Sequence, residues 1–466
     1  MQSISAHIDY RGLRYCNRQH GVTRIAVGPF PQNLSFTMKG ELEARPSLYA
    51  ADMVVNPQGC SDYRGVANIV MTAVGVGVLA LPNAVAFGGW IAAPLLLVLS
   101  WALTHFQMCL LWKCLFMNPS RKQMQSYEEV GRACFGRVGQ VAVAVCLYGG
   151  IFCICSLIMI LLGSSFHNLA PSLSRSLWIV ISVALMLPFA WLPTFKRVGV
   201  IAAIGVAATT VVAISVIIAG AREAAGPDDH EHVLGPQGIG GLGLAFTNFM
   251  NSFTCAPVIP GLIAEMKNPA TFPRVAMWSF LTITVVFGSI GFAGYAGWGI
   301  DMLKFDLIVD AVASSAGKGD WVNYIVQISI LIVSFTHLLV LFAPLGKASD
   351  RALSCFRKNN TMHWTILLTG RSVVFLAAMG LALLVPGFGS LFNLVGSTIV
   401  MFLQILFPSS FFLRLLYLGS KEGIPLPFKS NLQYKIHVTV VVLCILLGLF
   451  GLVLGTYQAI DALASK

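Results

Sequence analysis

Two short stretches of this chain break the pattern of the apolar runs that contain them. The first is Thr72-Ala73-Val74-Gly75-Val76-Gly77-Val78-Leu79-Ala80-Leu81-Pro82, where two glycines and a proline interrupt an apolar segment. The second is Asn248-Phe249-Met250-Asn251-Ser252-Phe253-Thr254-Cys255-Ala256-Pro257-Val258-Ile259-Pro260, polar in its middle and followed by two prolines. Pro257 and Pro260 each lack the N–H that an unbroken helix would use. Both stretches predict helices that unwind near their centres, the second at Ser252 to Cys255. Non-helical backbone at membrane depth is tolerated only where it is buried in protein or lines a cavity. A half-helix beginning near Val78 offers N–H groups and the positive end of its dipole to an anion at Gly75, Val76 and Gly77. Half-helices ending near Thr72 to Val74, and near Met250 and Asn251, leave orphan carbonyls that attract a cation. An anion site beside a cation site matches the carboxylate and ammonium of an α-amino acid. Glycine also serves close helix packing in membranes, and Gly288, Gly291, Gly294, Gly448, Gly451 and Gly455 are read that way.

Other side chains with chemistry are few. No Asp or Glu falls in the middle of an apolar segment. His337 lies mid-segment beside Ser334 and Thr336, and imidazole titrates near neutral pH, so it is the candidate proton carrier. The competing reading is a hydrogen-bonded packing histidine. Glu265, at the end of the second interrupted segment, is a candidate gate or a plain interfacial charge. Tyr148 could close over the site and bond a substrate carboxylate, or simply pack. Arg371 is expected to snorkel to the membrane surface. His230 and His232 lie in the acidic stretch Asp228-Asp229-His230-Glu231-His232 and read as a solvated loop rather than a metal site. Without a midplane carboxylate, a sodium site would rely on carbonyls and on hydroxyls such as those of Thr72, Ser334 or Thr336. A cationic substrate side chain would find no buried counter-charge, although Phe249 and Phe253 could face one. Together these residues favour neutral amino acids.

The elements that must position these residues are membrane helices. Of 466 residues, 56% are apolar and 11% charged, against about 25% charged in a soluble domain. The formal charge of +11 does not mark a nucleic-acid binder, because the basic residues fall in short loops between apolar runs. A spanning helix needs about 20 apolar residues. Eleven segments qualify: residues 65–87, 90–115, 140–164, 177–193, 198–220, 238–263, 275–298, 321–345, 364–385, 388–411 and 436–460. With the N-terminus in the cytoplasm, inside segments hold 23 of the 30 Lys and Arg, and outside segments 5. That bias follows the positive-inside rule. Residues 1–62 read as a disordered cytoplasmic tail, 63–460 as the transmembrane domain and 461–466 as a short external end. The cysteines fall outside the external loops, so no disulfide framework is expected. The two interrupted segments are first members of two five-helix halves entering from opposite sides. This is the pattern of an inverted repeat with a central site.

Three motifs add a resemblance. Gly75-Val76-Gly77-Val78-Leu79-Ala80-Leu81-Pro82 followed by Gly88-Gly89-Trp90, Ser126-Tyr127-Glu128-Glu129-Val130-Gly131 followed by Phe135-Gly136, and Pro260 followed by Glu265-Met266-Lys267-Asn268-Pro269 resemble the amino acid/auxin permease family. The resemblance is closest to protist members and covers nearly all of residues 63–460. It implies an all-α polytopic protein of the amino acid–polyamine–cation superfamily, with a LeuT-like 5+5 inverted repeat plus one extra helix. It implies secondary amino acid transport by symport, with no cofactor and no enzymatic step. It also supports Gly75, Val76 and Gly77 as carboxylate-facing backbone and Asn251 to Cys255 as the second break. Many relatives carry a histidine after the position of Cys255, where this chain has Ala256. The expected partners are an amino acid, a proton or sodium ion and membrane lipid, in a plasma or vacuolar membrane, with no nucleic acid. Rival readings are an amino acid sensor without flux and a carrier of cationic amino acids.

Overall fold

The structure is a computed structural model that describes residues 56–464, apart from 118–122, 192–197, 227–229, 318–319, 354–359, 386, 422–427 and 429. Most of the proposed N-terminal tail therefore lies outside the described residues. The described chain is helical, with one isolated parallel bridge between Cys60 and Met266. Helix α1 spans Asp62–Ala73 and α2 spans Leu81–Phe116, entered through a tight turn of 3-10 helix at Val76–Ala80. Helices α3 (Tyr127–Leu169), α4 (Arg175–Ala190), α5 (Val198–Ala224), α6 (Gly238–Ser252) and α7 (Ile259–Glu265) follow. Then come α8 (Phe272–Trp298), the short α9 (Ile308–Ser315), α10 (Trp321–Leu353) and α11 (Asn360–Leu384). The last are α12 (Phe388–Val395), α13 (Phe407–Lys421), α14 (Asn431–Phe450) and α15 (Thr456–Ala464). Wide π turns at Gly396–Val400 and Phe402–Leu406 join α12 to α13, and another at Gly451–Gly455 joins α14 to α15.

Eight helices among the described residues are long and apolar enough to cross a membrane, and α4 is a shorter apolar helix. The coarser count has a local cause. Gly89, at φ 69° and ψ 179°, is non-helical and kinks the chain inside α2, so the first two sequence segments follow one another with only this break between them. A Cβ there would lie 2.4 Å from the Gly235 carbonyl oxygen, which reserves the position for glycine. Each interrupted segment, in turn, is divided into two shorter helices.

Helix α3 shows how the sequence sets its own boundaries. Ser126 accepts a hydrogen bond from the Glu129 N–H at 3.2 Å, while Glu129 accepts from the Gln125 N–H at 2.6 Å, so two backbone donors around the helix start are satisfied reciprocally. Gly136, at φ 63°, then folds the first turns back on the rest of α3. Outward-facing apolar side chains such as Leu95, Val285, Leu384 and Leu446 are more than half exposed, as expected of a surface that meets lipid. Helix α2 packs along α6 and α8, and α10 packs along α5 and α3. The packing glycines lie at close approaches. A Cβ on Gly294 would meet Pro82 at 2.5 Å, and one on Gly455 would meet Ser397 and Thr247 at 2.8 Å.

Candidate binding site at two interrupted helices

The first interruption is confined to Val74 and Gly75. Helix α1 ends at Ala73, Val74 takes ψ 77° and Gly75 is extended at φ −123°, ψ −151°. The Gly75 N–H is already used, donating to the Ala73 carbonyl at 2.9 Å, and the Val78 N–H donates to Gly75 at 3.3 Å. Val76 and Gly77 therefore belong to the first turn of the second half-helix, two residues earlier than the start expected at Val78. The Gly75 N–H is not free for an anion in this conformation, because the extended backbone turns it onto Ala73.

The second interruption begins where α6 ends, at Ser252, and lasts until α7 begins at Ile259. Ser252 Oγ lies 3.2 Å from the Gly77 carbonyl and 3.0 Å from the Asn248 carbonyl, its single proton shared between the two acceptors, so one hydroxyl links the two interruptions. A Cβ on Gly77 would lie 3.5 Å from Ser252 Cα and 3.6 Å from Phe392 Cε2. Asn251 donates its side-chain amide to the Phe392 carbonyl at 3.1 Å. Thr254 turns its hydroxyl onto the Met250 carbonyl at 3.2 Å.

His337, on α10, faces the first interruption. Its Nδ1 lies 3.1 Å from the Val333 carbonyl, which can only accept, so Nδ1 carries a proton and Nε2 is left toward Gly75. A Cβ on Gly75 would be 3.5 Å from Nε2, an ordinary contact, so the ring lies against this backbone. Ser334 beside it is fully buried, with its hydroxyl unpartnered among the described residues.

Below these groups lies a cavity of about 550 Å³, lined by Asn68, Thr72, Pro257, Glu265, His337 and Pro344 among others. It lies on the side of the interruptions toward the start of α1 and the end of α7. Thr72 is exposed toward solvent space, with its hydroxyl on the Asn68 carbonyl at 2.7 Å. Glu265 is exposed and makes no ion pair among the described residues. The same end of the two helices is strapped together by backbone. Asn56 N–H donates to Lys267, Cys60 N–H to Glu265 and Lys267 N–H to Cys60, all at 2.8–2.9 Å. Outside the spans, burial and the nearby Glu265 carboxylate push the Cys60 thiol up from its ordinary value.

Two sequence-derived candidates are not brought to this site. The Tyr148 hydroxyl donates to Glu128 at 3.1 Å and accepts from Arg351 at 3.2 Å. The fold-back at Gly136 carries Glu128 to it, so this phenol ties α3 to the last turn of α10 instead of closing over the interruptions. The Phe253 ring is fully buried against Phe287, 5.0 Å between centroids, and faces α8. Arg371 pairs with Asp350 and also bonds the Trp191 carbonyl at 3.2 Å. His230 lies 3.4 Å from Glu223 and 3.2 Å from Asp301, while Glu231 and His232 beside it are exposed.

Sequence reasoning missed Phe392, Gly396 and Gln404. Gly396 matters because a Cβ there would crowd Asn251 at 3.1 Å. Gln404, a lone amide inside an apolar run, was the available signal.

A family model described as transmembrane amino acid transporter protein matches residues 59–460. The chain is 25% identical over 420 residues to the Arabidopsis thaliana protein named amino acid transporter AVT1J, covering 87% of this chain and 92% of that one. It is 26% identical over 461 residues to amino acid transporter AVT1D of the same plant, covering 94% of this chain and 76% of that one. Among solved structures, the inward-facing conformation of Mhp1 matches at TM-score 0.52 and 12% identity, covering 89% of this chain and 94% of that one, a likeness of fold.

Proposed function

The chain belongs to the transmembrane amino acid transporter family, and from that premise we propose that it is a secondary transporter of neutral amino acids working by alternating access. It is an integral membrane protein, and it is not an enzyme. In this reading each interrupted helix counts as one span. The described helices then make eleven crossings, as a 5+5 inverted repeat with one added helix and a cytoplasmic N-terminus.

One observation carries the reading: Ser252 joins the Gly77 carbonyl across the two interruptions at 3.2 Å, while Thr72 and Pro257 of the same two segments and His337 of α10 line a cavity of about 550 Å³. The bond draws the second half of the first interrupted helix against the end of α6. The route is thereby closed on one side of the interruptions and open on the other, toward the cytoplasm. Interrupted helices offer the right partners to a zwitterion. The first turn at Val76 and Gly77 presents the positive end of a helix dipole to the carboxylate. Helix ends at Ala73 and Ser252 present carbonyls to the ammonium.

The strap between Asn56–Cys60 and Glu265–Lys267 makes α1 and α7 one moving part. Hinging them together opens or shuts the cavity, with Glu265 as the gate at its mouth. His337 is the proton-coupling group, since its Nε2 faces the backbone that would hold the substrate. The alternative coupling ion, sodium, would rest on carbonyls and the Ser334 and Thr336 hydroxyls.

The test is uptake of a panel of radiolabelled amino acids into proteoliposomes, with pH and sodium gradients imposed separately. Neutral amino acids driven by a pH gradient are the expected result. Binding without flux for every substrate would overturn transport in favour of a sensor.

A further inference from the structure

Interrupting a helix leaves a carbonyl that must find another donor or stay unpaired in a low-dielectric interior. In an unbroken helix the Phe253 carbonyl would accept from the N–H of residue 257, four positions on. That residue is Pro257, which has no N–H. The missing donor comes instead from elsewhere in the chain. Gln404 Nε2 donates to the Phe253 carbonyl at 3.0 Å and to Thr104 Oγ1 at 3.3 Å. A carbonyl can only accept, so the partner itself fixes which end of the amide is nitrogen.

The setting argues for more than filled space. Gln404 and Thr104 are fully buried, and Gln404 Oε1 has no partner among the described residues. A buried amide with half its capacity unused is an expensive residue in an apolar run, where leucine would serve packing alone. Gln404 also sits in the π turn Phe402–Leu406, the second of two on this helix. Such turns redirect side chains and recur at functional sites. The other end of the interruption is held from the same helix, by the bond from Asn251 to the Phe392 carbonyl.

We propose that Gln404 is a positioning residue of the transport site, its amide replacing the donor that Pro257 lacks and holding the second interruption open in the shape that receives substrate. It acts on the substrate only through the Phe253 backbone. The proposal rests on the transport reading for its activity assay, but its structural readout does not.

Gln404→Met keeps the length and volume and removes the donor. Its maximal uptake rate should fall about tenfold, the ratio expected for one buried hydrogen bond, with the folded transporter present at wild-type amount. Gln404→Glu keeps the shape but can donate only when protonated, so its uptake relative to wild type should rise as pH falls. Amide exchange over Phe253 to Val258, which needs no transport, should speed up in Gln404→Met. Unchanged exchange would overturn the proposal, as would a wild-type rate in Gln404→Met or a Gln404→Glu ratio flat in pH. So would failure of both variants to yield folded protein at any pH, since the amide would then serve the fold alone. A wild type that exchanges as expected but shows no uptake would count against transport and not against the amide.

Discussion

Replacing Gly77 by leucine should stop uptake while leaving membrane insertion intact. The Cβ of any residue at this position would stand 3.5 Å from Ser252 Cα and 3.6 Å from both Ser252 Oγ and Phe392 Cε2, all ordinary contacts. Alanine therefore fits. Leucine adds three more carbons beyond that Cβ, directed between α6 and the helix that carries Phe392. Forcing them in costs about 1–3 kcal/mol of overpacking, and prying Ser252 from the Gly77 carbonyl removes about 1 kcal/mol more. The sum, about 2–4 kcal/mol, corresponds to about 30- to 1,000-fold in the population of the substrate-receiving state. The assay is initial-rate uptake of a labelled neutral amino acid into proteoliposomes, normalised to folded protein, for wild type, Gly77→Ala and Gly77→Leu. Alanine should stay within a few-fold of wild type, and leucine should fall to background. Wild-type uptake by a well-folded Gly77→Leu protein would refute the reasoning, because no substrate could share that space.

Three further outcomes follow from neighbouring geometry. His337→Gln keeps a polar side chain beside Gly75 but cannot titrate, so pH-driven accumulation should vanish while counterflow exchange of substrate persists; retained pH-driven accumulation would remove His337 from coupling. Asp350→Ala would leave the Arg371 guanidinium, whose side chain is 7% exposed, without its carboxylate, costing about 3 kcal/mol and lowering the Tm in a thermal-shift measurement. Asp301 is held below its ordinary 3.8 by hydrogen bonds first from Lys304 and then from His230. A lowered carboxylate stabilises the fold above its unfolded value and loses that contribution as pH falls below it. Exchange protection at His230 to Val233 should therefore drop below about pH 4, and Asp301→Asn should flatten that response.

Much of this protein is legible before any folding is considered. Apolar run length and the distribution of Lys and Arg follow from the cost of putting peptide and charge into hydrocarbon, so they mark membrane helices in a linear string. Pro257 and Pro260 likewise announce a helix that cannot continue, because an absent N–H is a property of the residue alone. Gly136 and Gly89 were visible as motif members, but their effect was not, since a positive φ is a choice made with the partner segments in hand. That choice set the kink between the first two sequence segments at Gly89 and carried Glu128 to Tyr148. The site itself is a matter of which carbonyl meets which donor. Ser252 reaching Gly77, His337 lying against Gly75 and Gln404 supplying what Pro257 lacks join residues 151 to 262 positions apart. Composition and spacing decided that the chain enters a membrane and where its helices fail. Only packing decided what meets at those failures, because hydrogen bonds act over about 3 Å and nothing in a linear order of residues fixes distances that short between remote segments.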